Sequence, residues 1–293
     1  MDEKLNDKHT LKYEVLRILA EALYDHQDVR KRSKNRVRCL IRQKLLNLGF
    51  IAEEKIEDDE KSQGDKYNDK QLAKLMDEAL KSGKLTVEDH EFITTSLTLA
   101  ERETEIEKDY EKKLKPLVEN EEIWIEWLKY VKGISTRNTT RLLKWYGYCE
   151  RFPTVSKLWA YSGLKVVEGK CVKREKGKEL GYNLKIKTDM VGILGDNLIK
   201  ASAGYKQIYD NDKERILLRG CCDNPKCVGK PGHAHRMAIR KMVKIFLQHY
   251  WQKCRMIKGL EVSEPWIMGV KKDNGGTHQT YIGPIYDKKP YAN

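Results

Sequence analysis

The sequence predicts a mainly α protein with a small β element: an N-terminal helical hairpin or coiled coil, followed by a helix-hairpin-helix unit. Three observations carry this expectation. Apolar residues recur at spacings of three and four through most of the first 118 positions. Glycines close those runs at Gly49 and Gly83. A short basic stretch around Gly169 reads as a strand pair.

Leu11, Val15, Ile18 and Ala22 share one helical face, with Asn6 or Asp7 as the cap. A second helix is expected with Val37, Leu40, Ile41, Leu45 and Leu48 buried and Gly49 as its stop. Residues 1–50 thus read as a basic helical hairpin. Its middle carries Arg30, Lys31, Arg32, Lys34, Arg36, Arg38, Arg42 and Lys44 with no acidic residue among them. Unmixed positive charge is costly unless an anion comes near, so Arg30, Arg32 and Arg36 are candidate phosphate contacts.

Residues 51–70 are acidic, polar and without apolar period, and read as a flexible linker. In 71–118, Leu72, Leu75, Met76, Ala79 and Leu80 form a short helix, and Thr86 with Asp89 opens a longer one. Its expected apolar seam is Ile93, Leu97, Leu99, Ile106, Tyr110, Leu114 and Leu117. That period suits an antiparallel helix pair or a coiled coil, through which this half of the chain forms a homo-oligomer.

The 293 residues carry 57 Lys and Arg against 44 Asp and Glu, a formal net charge of +13, which points to a phosphate-rich partner. A hydrophobic share of 40% suffices for more than one module. No run approaches the roughly 20 apolar residues of a membrane span, and the opening MDEKLNDKHT is unlike a signal peptide. The expected location is the cytoplasm or nucleoid, with no membrane partner. Seven cysteines, unevenly placed, fit a reducing compartment and direct attention to metal binding.

From 119 to 257 the chain reads as one domain. The segment IWIEWLKYV runs through Lys132, Gly133, Ile134 and Ser135 into TRNTTRLLKWYG, the pattern of a helix-hairpin-helix. In such a corner, glycine lets the turn backbone approach a phosphate, while the amides opening the second helix face the anion. Lys132, Gly133, Ser135, Thr136 and Arg137 are therefore candidate nucleic-acid contacts.

Further on, Lys170, Lys173, Arg174, Lys176 and Lys178 surround Cys171 and could clamp a nucleic-acid backbone, with Tyr182 stacking nearby. The run CCDNPKCVGKPGHAH places Cys222 and Cys227 within reach of His233 and His235, a set able to hold a structural zinc ion in a knuckle over 221–235. The next helix buries Ala238, Met242, Ile245, Phe246, His249 and Tyr250. Its other face carries Arg236, Arg240, Lys241 and Lys244. Residues 258–293 form a tail rich in Gly, Pro, Lys and Tyr without clear period.

Ala160-Tyr161-Ser162-Gly163-Leu164 after the hairpin, and Gly232-His233-Ala234-His235 before a basic helix, resemble the C-terminal domain of the insertion sequence one-ten family of transposases. The order holds from Trp124 to Trp251, and NRVRCLIRQKLLNLGF resembles the coiled-coil region that precedes that domain. The family consists of RNA-guided recombinases. The resemblance implies a helix-hairpin-helix DNA-binding domain serving transposition or recombination, with DNA, or RNA, as partner. The family's enzymes also have a ribonuclease-H-like domain whose four acidic residues hold magnesium, for which no strands precede Leu11. Their nucleophilic serine lies a few residues beyond Gly-Leu, where this chain reads KVVEGKCVKREKG without a serine.

The expectation is therefore a transposase-derived protein that holds DNA by its phosphates. One alternative is an active recombinase with Cys171 as an atypical nucleophile or a partner-supplied nuclease domain. Another is a structural protein that dimerises through its helices.

Overall fold

The computed structural model describes residues 2–51, 68–167, 170–172, 177, 181–219, 229–263 and 283–288. The chain divides into two compact units, Ile18–Lys113 and Met1–Arg17 with Leu114–Asn293. The protein is mainly helical, as the periodicity predicts.

The smaller unit is built on α1 (Asp2–Asn47) from Ile18 onward, α2 (Asp69–Lys81) and α3 (Val87–Glu119) as far as Lys113. One helix stands where the sequence predicted a hairpin over 1–50. The reason is that no proline or glycine interrupts DVRKRSKNRVR, and its Arg and Lys residues are good helix formers, so nothing stops the first helix before Gly49. The antiparallel partner of α1 is α3. His26 stacks on Tyr110 at 5.4 Å, Arg30 binds Glu107, and Lys44 donates to Asp89 at 2.9 Å, so the two helices run in opposite directions. The core of this unit joins Val37, Ile41 and Leu45 of α1 to Leu72, Met76 and Ala79 of α2, with Leu85 and Ile93.

The start of α1 differs from expectation by one helical position. Leu16, Ala20, Leu23 and Tyr24 are buried, whereas Val15 and Ile18 are 40% and 61% exposed. LKYEVLRILAEALY contains two overlapping apolar stripes, and only the one through Leu16 continues, by way of Gln27, to Val37 and Ile41. In α3 the buried positions are Ile93, Ala100, Glu107, Leu114 and Val118, while Leu99 is 55% exposed. A strict seven-residue repeat holds from 93 to 114, with a charged residue at one of its positions.

The larger unit is organised around α10 (Pro231–Ile257). Its buried residues Ala238, Met242, Val243, Phe246, Leu247, Tyr250, Trp251 and Cys254 fall on more than one face, so it serves as a central helix. Around it lie α4 (Glu122–Glu126), a 3-10 turn (Leu128–Tyr130), α5 (Thr136–Tyr146), α6 (Val155–Tyr161) and α9 (Gly204–Arg219). Between α6 and α9, α7 (Leu184–Lys187), a π-helical stretch (Thr188–Leu194) and α8 (Gly195–Lys200) form one continuous helical run. Gly195 permits close contact there: a β-carbon would stand 2.9 Å from the Ile239 side chain of α10. The small β element is a ladder of β1 (Val166–Val167) with β2 (Lys170–Cys171).

Indoles in the core and at its edge find acceptors. Trp251 Nε1 donates to the Phe152 carbonyl at 2.7 Å, Trp159 Nε1 to Lys244 at 3.0 Å and Trp127 Nε1 to Ile285 at 3.0 Å. His249, wholly buried, bonds Tyr205 Oη through Nδ1 at 2.7 Å, which makes it a core histidine as expected.

Candidate nucleic-acid interface

The predicted corner at 123–147 has an irregular first arm. After α4 the backbone breaks at Trp127 (φ −142°) and re-forms as the 3-10 turn, because Trp127 is drawn fully into the core to reach Ile285. The second arm, α5, is capped by Ser135, whose Oγ accepts from Asn138 N at 3.4 Å. Asn138 ties the corner together. Its Nδ2 donates to the Gly133 carbonyl at 3.0 Å, and its Oδ1 accepts from Asn197 and from Arg141, each at 3.3 Å. A buried asparagine with several satisfied bonds fixes a single geometry.

Gly133 (φ +90°) faces inward. A β-carbon there would lie 2.7 Å from the Asn197 carbonyl oxygen and 2.9 Å from Ala201 Cβ. Its lack of a side chain lets α8 approach the turn, where the sequence had suggested room for a phosphate. Lys132, Ser135 and Arg137 are exposed, and Thr136 is half-buried. The Lys132 amide is engaged: it donates to Asp287 Oδ2 at 2.9 Å.

Tyr182 is likewise spoken for. Its ring covers Gly163 (φ +68°), where a β-carbon would overlap it, and its hydroxyl donates to the Val172 carbonyl at 3.3 Å. Lys187 stands over the same ring at 5.0 Å. One side of this ring is thus covered from within the fold.

The fold does bring together two candidate groups far apart in sequence. On α10, Arg236, Arg240 and Lys244 stand at i, i+4 and i+8 and so share one face. Lys244 Nζ lies 4.2 Å above the Trp159 ring, and its pKa is held below the usual lysine value by burial first and by Arg240 second. Cys171, at the end of β2, lies within electrostatic range of the Lys244 ammonium. Among the described residues, no carboxylate pairs with Arg236, Arg240 or Lys244, while the neighbouring Lys241 bonds Asp212 Oδ1 at 2.8 Å. Asp212 is buried, so Lys241 belongs to the core side.

Arg30 also has a partner. Glu107, 4% exposed, receives both its Nε and, at 3.3 Å, its NH2. The acid missing from the basic run of α1 is supplied by α3. Arg32 and Arg36 are exposed on α1.

Lys173, Arg174, Lys176 and Lys178 lie outside the described residues, as do Cys222 and Cys227, and most of the 51–70 linker and of the tail. Of the proposed zinc ligands, His235 bonds Tyr209 Oη through Nδ1 at 2.8 Å, which leaves Nε2 for a ligand role, and His233 is half-buried in the first turn of α10. Among the described residues no three metal-binding side chains converge. No helix among them is long and apolar enough to cross a membrane.

Comparison with protein families, with curated proteins and with solved structures finds no match for this chain.

Proposed function

We propose that the larger unit holds nucleic acid, DNA in the first instance, through its phosphate backbone at the surface shared by the β1–β2 ladder and the Arg236, Arg240 and Lys244 face of α10. The observation that carries this reading is the gathering of those three cations on one face of α10 without a carboxylate among the described residues to pair them. Like charges at i, i+4 each cost a helix a few tenths of a kcal/mol, about 0.2–0.5, a cost an arriving phosphate would reverse. Lys244, partly desolvated on Trp159, gains most from a phosphate because water screens it least. Lys132 and Arg137 at the helix-hairpin-helix corner extend the contact. The resemblance to insertion-sequence transposases suggests transposition or recombination as the setting.

Two subsidiary readings go with it. Cys222, Cys227, His233 and His235 hold a structural zinc, with Tyr209 orienting His235 as an outer partner; protein purified without chelator then carries one zinc per chain. The smaller unit self-associates: Ile18, Val29, Phe92 and Leu99 are exposed apolar side chains on α1 and α3. The expected mass in solution is that of a dimer.

The test is a binding titration with labelled duplex DNA, comparing the wild type with a variant carrying Arg236→Ala, Arg240→Ala and Lys244→Ala. The expected result is a loss of affinity that is alike for unrelated sequences, with RNA of equal length competing less well. Unchanged affinity in the triple variant would remove this surface from the reading.

A further inference from the structure

We infer that Asp287 is an internal stand-in for a phosphate: its carboxylate fills an anion cradle formed by the backbone amides of Lys132 and Gly204, and a phosphodiester group of bound nucleic acid replaces it. The inference rests on the phosphate-holding function proposed above, and it assigns to that function a built-in competitor.

The cradle has two arms. Lys132 N donates to Asp287 Oδ2 at 2.9 Å, and Gly204 N donates to Oδ1 at 2.8 Å. The first amide belongs to the hairpin turn. The second opens α9, a helix of 16 residues whose N-terminal end carries partial positive charge. Two amides from separate elements thus converge on one anion that is already in place.

Gly204 makes the fit possible. A β-carbon at that position would stand 3.2 Å from Asp287 Oδ1 and 2.6 Å from Ile285 Cγ2. The segment around Asp287 is held by a short set of bonds: Asp287 N and Lys288 N both donate to the Tyr130 carbonyl, at 3.0 and 3.1 Å, and Trp127 reaches Ile285. Tyr286 lies beside Tyr130 with ring centres 6.2 Å apart.

The Lys132 arm is on the exposed side, whereas the Gly204 arm is half-buried. A phosphate arriving from solvent therefore meets the Lys132 amide first, with the exposed Lys132 and Lys288 beside it. Carboxylate and phosphate use the same donors and repel one another, so they compete for the cradle. Release of Asp287 is then part of binding, and its removal tightens binding.

The experiment compares wild type, Asp287→Ala, Asp287→Asn, Gly204→Ala and, as a control for the loss of one negative charge, Glu150→Ala. Thermal midpoints are measured in inorganic phosphate and in chloride at equal ionic strength, and duplex DNA affinity is measured across salt. Phosphate is expected to raise the Asp287→Ala midpoint by about 2–4 °C more than that of wild type or Glu150→Ala. Asp287→Ala should bind DNA about five-fold tighter than Glu150→Ala, with a salt slope steeper by about 0.9, one added phosphate contact. Asp287→Asn should fall between wild type and Asp287→Ala. Gly204→Ala, whose β-carbon crowds the oxygen position beside its amide for carboxylate and phosphate alike, should show no such gain, and Asp287→Asn serves if Asp287→Ala does not fold. Equal phosphate response in all variants, with Asp287→Ala matching Glu150→Ala on DNA, overturns the cradle. A wild type that ignores DNA sinks the proposed function instead, and the phosphate arm still decides the cradle.

Discussion

At the scale of single residues, the corner at 132–138 depends on groups whose roles a sequence conceals. Gly133 is legible as a turn glycine, but the atoms that require it, the Asn197 carbonyl and Ala201, come from a helix some sixty positions later. Gly133→Ala should therefore cost about 2–4 kcal/mol, from backbone strain and collision together. Gly83→Ala, at φ +69° with nothing within 4 Å, should cost only about 1 kcal/mol. Urea midpoints would measure both, and equal costs would contradict the close approach of α8. Asn138 and Asp287 were not legible as site residues: nothing local distinguishes either from an ordinary polar side chain, and each gains its role from partners distant in sequence. The cover of Gly163 by the Tyr182 ring was hidden for the same reason, since the two residues lie on different elements.

The helices were the most legible part, and register was the least. Val37, Ile41 and Leu45 are buried as their spacing predicts, and Thr86 caps α3 by accepting from Asp89 N at 3.1 Å. Two features escaped the periodic reading. A strongly basic run looked like a break although it contains no helix breaker, and a buried position of the seven-residue repeat in α3 is filled by Glu107, which no apolar pattern reveals. The Arg30–Glu107 pair explains that charge. Removing one member strands the other in a half-buried place, so Glu107→Ala should destabilise the protein by about 1–3 kcal/mol. Val15→Ala, on the exposed stripe of α1 and outside the self-association surface, should stay within about 0.5 kcal/mol. Thermal unfolding of both variants checks the register of α1 against α3, and a costly Val15→Ala would argue for the other stripe.

For the whole molecule, burial and charge set the response to pH and salt. Burial pushes the Tyr146, Tyr148 and Tyr205 phenols well above their ordinary value, Tyr148 with help from Glu121. A raised folded value means that these tyrosines contribute full stability below the unfolded pKa of about 10 and lose it progressively as pH rises beyond that point. Alkaline titration followed by tyrosinate absorbance should show these three still protonated when exposed tyrosines have ionised, appearing only as the protein unfolds. A single transition near pH 10 for all fifteen would contradict their burial.

Net charge was fully legible from composition, yet its placement was not, because the packing that sets Lys244 over Trp159 with Arg240 beside it is tertiary. The central claim is that this charge meets phosphate. The most direct test is the affinity of the wild-type protein for duplex DNA as a function of salt. The account predicts that the logarithm of affinity falls linearly with the logarithm of salt concentration, with a slope magnitude of about 3.5–5.5 for some four to six phosphates contacted. Binding that does not weaken with salt, or no binding at about 50 mM salt, would contradict it.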